Sequence, residues 1–228
     1  DRSSGYGIIE IAGLKSEMID SAVYTACAYQ CFADISRALG RAEEAAPWAE
    51  KAARLRAAIN SALWDEEEGL YCDAYTSYAE VLATRHNILG RLSPHREALA
   101  QTRLDKLLAQ KKALGEETQS GWLINYNWVI NTPMEAGIAA PDKAQRALQR
   151  MHTPEFLARE GLYLNTAESS AVMTISTGAM AVAQARYGQS DRALDLVSRV
   201  LKTFSAATPG CVYEMSPDYG CFVQAWTA

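Results

Sequence analysis

The chain has 228 residues, a formal net charge of −5, 49% hydrophobic residues and 21% charged residues. This length is enough for one domain with a substantial core, and the acidic balance argues against a nucleic-acid partner. No apolar run is long enough to span a bilayer and no signal-peptide pattern is present, so we expect no membrane partner.

The predicted elements are helices, starting with a pair of contrasting character. Residues 16–39 are mostly apolar or small, and Gly40 supplies a C-terminal stop. Residues 43–63 are charged and carry one apolar stripe. A helix that is apolar all round is buried, whereas a helix with one stripe lies at the surface. We therefore expect residues 16–39 to form a buried helix and residues 43–63 to cover it.

The same alternation recurs further along the chain. Apolar residues 78–89 precede the charged stretch 94–110, and residues 169–187 precede the amphipathic stretch 191–204. In the last of these we expect an inward face formed by Leu194, Val197, Val200 and Leu201. Residues 142–151 are predicted to form a surface helix after Pro141.

Alternating buried and surface helices predict an all-α fold, a two-layer α/α toroid of helical hairpins that forms one domain over residues 1–228. A solenoid of helix pairs is the competing architecture. No repeat of fixed length with consistent landmark residues is present, which favours the toroid.

Residues 115–169 are broken by prolines and glycines and contain an aromatic concentration that includes Trp122, Tyr126 and Trp128. These rings are candidates for a sugar-stacking wall, and ordinary core packing is an equal alternative. Glu135 lies in the same irregular region and is a candidate to line a cleft.

The C-terminal residues 210–226 combine two carboxylates, Glu214 and Asp218, with aromatic rings and turn residues. Sugar chemistry needs apolar ring faces to stack on and carboxyl groups that move protons. We take Glu214 as the candidate general base, with a turn or capping carboxylate as the alternative. Asp218 suits a helix cap better and is given a supporting role, and Trp226 either forms the floor of a pocket or packs in the core.

Three segments resemble the six-hairpin glycosidases, the (α/α)6-barrel superfamily that includes α-L-rhamnosidases, bacterial α-glucosidase and debranching-type enzymes, and trehalases. Trp64-Asp-Glu-Glu-Glu-Gly-Leu-Tyr71 is similar to the hairpin turn of that superfamily, and residues 20–56 resemble the preceding hairpin. Tyr213-Glu214 with Gln224-Ala225-Trp226 is similar to the segment that carries the catalytic base. The resemblance implies a partial (α/α)6 barrel that hydrolyses carbohydrate or glycoconjugate substrates with inversion.

An inverting glycosidase also needs a general acid, about 6.5–9.5 Å from the base. Glu10 is the candidate within the chain, because burial in its apolar, glycine-rich stretch would raise the pKa of a carboxyl group. Glu135, Glu168 and Asp1 are alternatives. The resemblance places the acid in the N-terminal part of the barrel. We therefore also expect this chain to be either the C-terminal portion of a larger enzyme, with the N-terminal remainder as its partner, or a reduced relative.

Other chemistries find little support in the sequence. Three histidines without ligand spacing, and no nucleotide-binding or metalloprotease motif, predict neither a metal nor another cofactor. Five cysteines without a paired motif mildly favour a reducing, cytoplasmic compartment.

Two rival functions stay open on the sequence alone. One is a non-catalytic helical-repeat binding module. The other is a lyase or epimerase that acts on sugars, which would use a base such as His86, Tyr126 or Tyr163 near Arg85. The pair Arg85-His86 would then face a cavity, whereas the alternative is a satisfied buried network.

Overall fold

The computed structural model describes residues 11–90, 97–167 and 172–203. In these ranges it contains nine α-helices, and its strands are only two to four residues long. The predicted all-α fold class is confirmed. The chain divides into two compact units, Asp1–Glu67 with Tyr71–Asn125, and Glu68–Leu70 with Tyr126–Ala228. The single domain over residues 1–228 stays a prediction.

The first unit is built around a helical hairpin, α1 (Ile19–Ala38) and α2 (Ala42–Ala62). Gly40 turns the chain between them with a φ of 74°, a conformation that glycine adopts without a steric penalty. Helix α2 buries Ala45, Ala52 and Ile59, as its single stripe predicts. Three more helices follow in this unit, α3 (Tyr78–Ala83), α4 (Arg85–Gly90) and α5 (Glu97–Lys111).

A small antiparallel sheet lies in the same unit and was not predicted. Its strand order is β1 (Glu17–Met18), β4 (Ala74–Ser77) and β5 (Gln119–Trp122). Ala74 pairs with Trp122, and Tyr75 pairs with Gly121. A Cβ atom on Gly121 would lie 2.5 Å from the Ala62 carbonyl oxygen, so this close approach of backbones requires glycine.

The turn at residues 64–71 forms a two-stranded ribbon, β2 (Trp64–Asp65) and β3 (Leu70–Tyr71). The Asp65 carboxylate accepts the Glu67 backbone N–H at 3.0 Å, which closes the turn. The Tyr71 hydroxyl donates to Asn60 Oδ1 at 2.7 Å, and the rings of Trp64 and Tyr71 meet edge to face at 5.0 Å. These contacts explain the residue types of the turn as structural requirements.

The second unit contains a short helix α6 (Thr132–Glu135), then α7 (Pro141–Met151), α8 (Thr174–Arg186) and α9 (Ser190–Leu201). Helix α8 packs against both α6 and α9. Gly188, with a φ of 82°, turns the chain between α8 and α9. Pro141 begins α7, where its missing N–H has no intrahelical partner to lose.

Three sequence expectations are wrong. Helix α1 is not buried all round, because Tyr24, Phe32, Ile35 and Leu39 are exposed. Helix α9 buries Ala193 and Leu196, which were not predicted to face inward. Three of the residues that were predicted to face inward are exposed, namely Leu194, Val197 and Leu201. The single helix predicted for residues 78–89 is divided at Thr84, whose hydroxyl donates to the Glu80 carbonyl oxygen at 2.7 Å and caps α3.

Candidate active site

Four of the predicted site residues lie within the described part of the chain, namely Trp122, Tyr126, Trp128 and Glu135. The others, Glu10, Glu214, Asp218 and Trp226, lie outside the described residues, as do the alternative acids Asp1 and Glu168. The aromatic segment at residues 122–135 begins in the first unit and continues in the second, and its residues make contacts within each unit.

Trp122, at the end of β5, is a core side chain. It is 0% exposed, and its indole Nε1–H donates to the Thr76 carbonyl oxygen at 3.0 Å. The Lys111 ammonium lies 5.6 Å from the ring centroid, and the Tyr78 ring lies at 6.4 Å. This environment matches the core-packing alternative for Trp122, and its predicted role in substrate binding stays a prediction.

Asp73 is a buried carboxylate that the sequence analysis did not single out. Its Oδ1 accepts the Ile124 backbone N–H at 2.8 Å, and its Oδ2 accepts the Asn125 backbone N–H at 2.8 Å. A buried carboxylate needs such donors, and charge-assisted hydrogen bonds are stronger than neutral ones. Asp73 therefore fixes the direction of the chain just after β5. A signal for it was its place in the apolar run Leu70-Tyr-Cys-Asp-Ala74, where an unpaired charge would be costly.

Tyr126, which opens the second unit, has a left-handed backbone with a φ of 49°. For a bulky residue this conformation costs on the order of 1–3 kcal/mol, and such strain clusters at functional sites. The Tyr126 carbonyl oxygen accepts the Ala167 N–H at 3.1 Å, and its ring lies 6.4 Å from that of Phe156. Contacts within this unit therefore hold the strained residue in place.

Residues Trp128–Asn131 form a 3₁₀ helix that begins on a side-chain cap. Asn127 Oδ1 accepts the Val129 N–H at 3.1 Å, and the Trp128 N–H donates to the Asn165 carbonyl oxygen at 2.9 Å. Trp128 itself is buried. This short helix leads directly into α6, which ends at the half-buried Glu135.

In this segment, the side-chain amide of Asn131 is buried and its hydrogen-bonding groups are unsatisfied. It is 1% exposed, and neither its Nδ2 nor its Oδ1 has a hydrogen-bond partner among the described residues. A buried amide without partners costs about 1–3 kcal/mol, so each such group calls for an explanation. No pattern of residues indicates it, because burial and the lack of a partner are properties of the fold.

A second buried polar group lies between α7 and α8. The Tyr163 hydroxyl lies 3.3 Å from His152 Nδ1, and the Tyr163 backbone N–H donates to Thr177 Oγ1 at 2.9 Å. Burial raises the pKa of Tyr163 well above its usual value, and a side-chain hydrogen bond from Gln184 opposes this only in part. The phenol therefore stays protonated at neutral pH, which disfavours it as the base of a lyase or epimerase.

The candidate pair Arg85-His86 lies at the start of α4. The Arg85 guanidinium forms an ion pair with Asp105 at 2.9 Å, and His86 is exposed. The buried network predicted as the alternative is not found, because the ion pair of Arg85 with Asp105 lies at the surface.

The described residues contain no group of three or more histidine, cysteine, aspartate and glutamate side chains that could hold a metal ion. Burial raises the pKa of the Cys72 thiol far above its usual range, so this cysteine is an inert core residue. None of the helices in the described ranges is long and apolar enough to cross a membrane.

Comparison with known families identifies the chain. The family of the mannosylglycerate hydrolase MGH1-like glycoside hydrolase domain matches residues 10–172, more than two thirds of the chain. The chain belongs to this family. Its predicted resemblance to the six-hairpin glycosidases and its enzyme class, glycoside hydrolase, are thereby confirmed. No curated protein matches the chain.

The part of the chain that matches this glycoside hydrolase family contains the whole aromatic segment, together with Asp73 and Glu10. It ends before Glu214, Asp218 and Trp226. Membership of the family therefore shows the enzyme class, but it does not show the roles of individual residues.

Proposed function

We propose that this glycoside hydrolase cleaves its substrate with inversion of the anomeric centre and that Glu214 is the general base that deprotonates the attacking water. The observation that carries the proposal is membership of the MGH1-like glycoside hydrolase family. The likeness of Tyr213-Glu214 and Gln224-Ala225-Trp226 to the base-carrying segment of the six-hairpin glycosidases supports the choice of residue. Inverting enzymes need such a carboxylate opposite a carboxylic acid.

Glu10 is the proposed general acid within this chain. The sequence around it, Gly7-Ile-Ile-Glu-Ile-Ala-Gly13, is apolar and glycine-rich. Such an environment favours the protonated form of a carboxyl group, which is the form that an acid catalyst needs. The alternative proposal is that an N-terminal remainder of the same enzyme supplies the acid. Activity of the 228-residue chain by itself, lost in Glu10→Gln, would favour Glu10.

Asn131 is a proposed substrate contact. Its amide can donate and accept at once, which suits neighbouring hydroxyl groups of a sugar. Two observations support a binding role for the segment. This buried amide has no partner among the residues that the structure describes, and the backbone is strained at Tyr126, five residues before it. Tyr126 and Trp128 are proposed to supply ring surface, and Glu135, Asp218 and Trp226 remain further candidates. Trp122, which is fully buried, is proposed to be a core residue, with a substrate contact as the alternative.

The stereochemistry of the first product tests the mechanism. The family takes its name from a mannosylglycerate hydrolase, so mannosylglycerate is the first substrate to offer, followed by a panel of α- and β-linked glycosides. Proton NMR during the first minutes should show the product anomer opposite to that of the substrate, before mutarotation. Retained configuration would exclude the inverting mechanism. An unsaturated or epimerised product would instead favour the lyase or epimerase, and sugar binding without turnover would favour the binding module.

A further inference from the structure

Arg150 lies in the last turn of α7, and its side chain reaches forward over the turn that follows this helix. Its guanidinium forms an ion pair with the Glu155 carboxylate at 2.6 Å and donates to the Thr153 hydroxyl oxygen at 3.5 Å. The central carbon of the same guanidinium lies 5.2 Å from the centroid of the Phe156 ring. One side chain of α7 therefore contacts three residues of the stretch 153–156.

A further carboxylate beside Arg150 is that of Glu68, which belongs to the same unit. Glu68 Oε2 lies 3.7 Å from the Arg150 guanidinium. The side chains of Arg150 and Glu155 are only 29% and 19% exposed. Two carboxylates around one partly buried guanidinium restrict its orientation more than a single exposed ion pair does. The position of Arg150 against the Phe156 ring is thus fixed.

The Phe156 ring is the link between Arg150 and Tyr126. It is 3% exposed, and its centroid lies 6.4 Å from that of the Tyr126 ring, within the usual range for an aromatic pair. The backbone of Phe156 is held as well, because its N–H donates to the Thr153 carbonyl oxygen at 3.0 Å. Arg150, Phe156 and Tyr126 therefore form a continuous row of contacts inside the second unit.

Tyr126 needs such support because its backbone is strained. A φ of 49° is unfavourable for a tyrosine, and a residue stays in such a conformation only where its surroundings hold it there. Two contacts that hold it are the hydrogen bond from the Ala167 N–H to its carbonyl oxygen at 3.1 Å and the packing of the Phe156 ring. A loosened Phe156 would let the Tyr126 backbone relax and its ring move.

We propose that Arg150 is a positioning residue for substrate binding, which fixes Phe156 and thereby holds the Tyr126 ring where it stacks on a sugar. The inference rests on the proposed role of Tyr126 as a substrate contact. Arg150 acts through the two rings and does not touch the substrate. A stacking contact of this kind stabilises the bound substrate and the transition state alike, so loss of Arg150 should raise KM and leave kcat unchanged.

Kinetics with mannosylglycerate test this proposal on matched variants. Arg150→Met keeps the length of the side chain and removes the guanidinium, so KM should rise about three- to tenfold. Arg146→Met makes the same change of charge four residues earlier on α7, at an exposed position, and should leave KM unchanged. Tyr126→Leu should itself raise KM, and adding Arg150→Met to it should cause no further increase because both changes remove the same contact.

Hydrogen exchange follows the same row of contacts without a substrate. The Ala167 N–H, which donates to Tyr126, should exchange faster in Arg150→Met than in the native chain and should be unaffected in Arg146→Met. Circular dichroism checks that each variant is folded. Arg150→Lys keeps the charge but loses the planar fork of donors, and it replaces Arg150→Met in both measurements if that variant does not fold.

The outcomes separate this proposal from the one on which it rests. Unchanged KM or unchanged Ala167 exchange in Arg150→Met, while Tyr126→Leu raises KM, overturns the positioning role alone. A rise in KM that multiplies with that of Tyr126→Leu also overturns it, because Arg150 would then act by another route. Unchanged KM in Tyr126→Leu overturns both the positioning role and the substrate contact of Tyr126. The anomer of the first product tests the inverting mechanism separately.

Discussion

The buried carboxylate of Asp73 accepts the backbone N–H of Asn125 at 2.8 Å, and its other oxygen accepts the adjacent N–H of Ile124 at the same distance. One side chain thereby fixes two consecutive peptide groups within the aromatic segment. We expect Asp73→Asn to lower the free energy of unfolding by about 2–3 kcal/mol, because one backbone N–H then faces an NH₂ group instead of an acceptor. Urea unfolding measures this change, and activity per folded molecule should also fall.

Asp65→Asn is the matched control for this prediction. Asp65 also accepts a backbone N–H, that of Glu67 at 3.0 Å, but it does so in an exposed turn. Replacement of Asp65 should lower the free energy of unfolding by less than about 1 kcal/mol, because water can substitute for the lost acceptor. Equal effects of the two variants would show that burial of Asp73 is not what makes its hydrogen bonds important.

Trp122→Phe separates a core role from a substrate-binding role. The change leaves a cavity and removes the donor to the Thr76 carbonyl oxygen, so we expect a loss of about 2–3 kcal/mol in the free energy of unfolding. The KM of the folded variant should be unchanged. A raised KM together with unchanged stability would instead make Trp122 a substrate contact.

Asn131→Leu should weaken substrate binding without destabilising the fold. The leucine removes a buried amide that lacks partners, so the free energy of unfolding should stay the same or rise by up to about 1 kcal/mol. Loss of a hydrogen bond to a sugar hydroxyl should raise KM roughly tenfold.

Asn127→Ala serves as the comparison for Asn131→Leu. It removes the cap on the Val129 N–H and should lower stability by about 1 kcal/mol. The assignment of Asn131 would be wrong if Asn131→Leu were destabilised by more than its comparison, or if its KM did not change.

His152 should make stability depend on pH in the acidic range. Partial burial, and then the positive charge of Arg192, lower the pKa of His152 below its ordinary value. The unfolded chain therefore binds the proton more readily, and stability should fall as pH drops from about 7 through the lowered pKa of the folded state. Because His152 is only partly buried and solvent screens its charge, the effect should stay below about 1 kcal/mol.

Thermal unfolding of His152→Gln between pH 8 and pH 5 checks this sign. The variant should lose less stability than the native chain over that interval. A native chain that becomes relatively more stable than His152→Gln as the pH falls would contradict the direction of the pKa shift.

Local signals account for what the sequence predicted well. Gly40 and Gly188 end helices in the left-handed conformation that glycine favours, and Pro141 begins a helix, so the hairpins could be read from neighbouring residues alone. The sheet β1-β4-β5 could not, because strands of two to four residues show no alternation and their partners lie far apart in the sequence.

The exposed face of α1 and the unsatisfied amide of Asn131 could not be predicted from the sequence either. An apolar helix predicts that another element packs against it, but the sequence of the helix does not show whether that element belongs to the same chain. Likewise, an asparagine looks the same in a sequence whether or not its amide has found partners. The role of Asp73 could not be predicted either. Its two carboxylate oxygens become important only when the backbone N–H groups of Ile124 and Asn125 fold against them.

Replacement of Glu214 in the active enzyme tests the central claim most directly. Glu214→Gln keeps the size of the side chain and removes its basicity, so kcat should fall by about 10²–10⁴-fold with an unchanged circular dichroism spectrum and unfolding midpoint. Asp218→Asn, four residues away, is the matched control and should lose far less activity. Near-normal turnover in Glu214→Gln, or a larger loss in Asp218→Asn, would contradict the assignment of Glu214 as the general base.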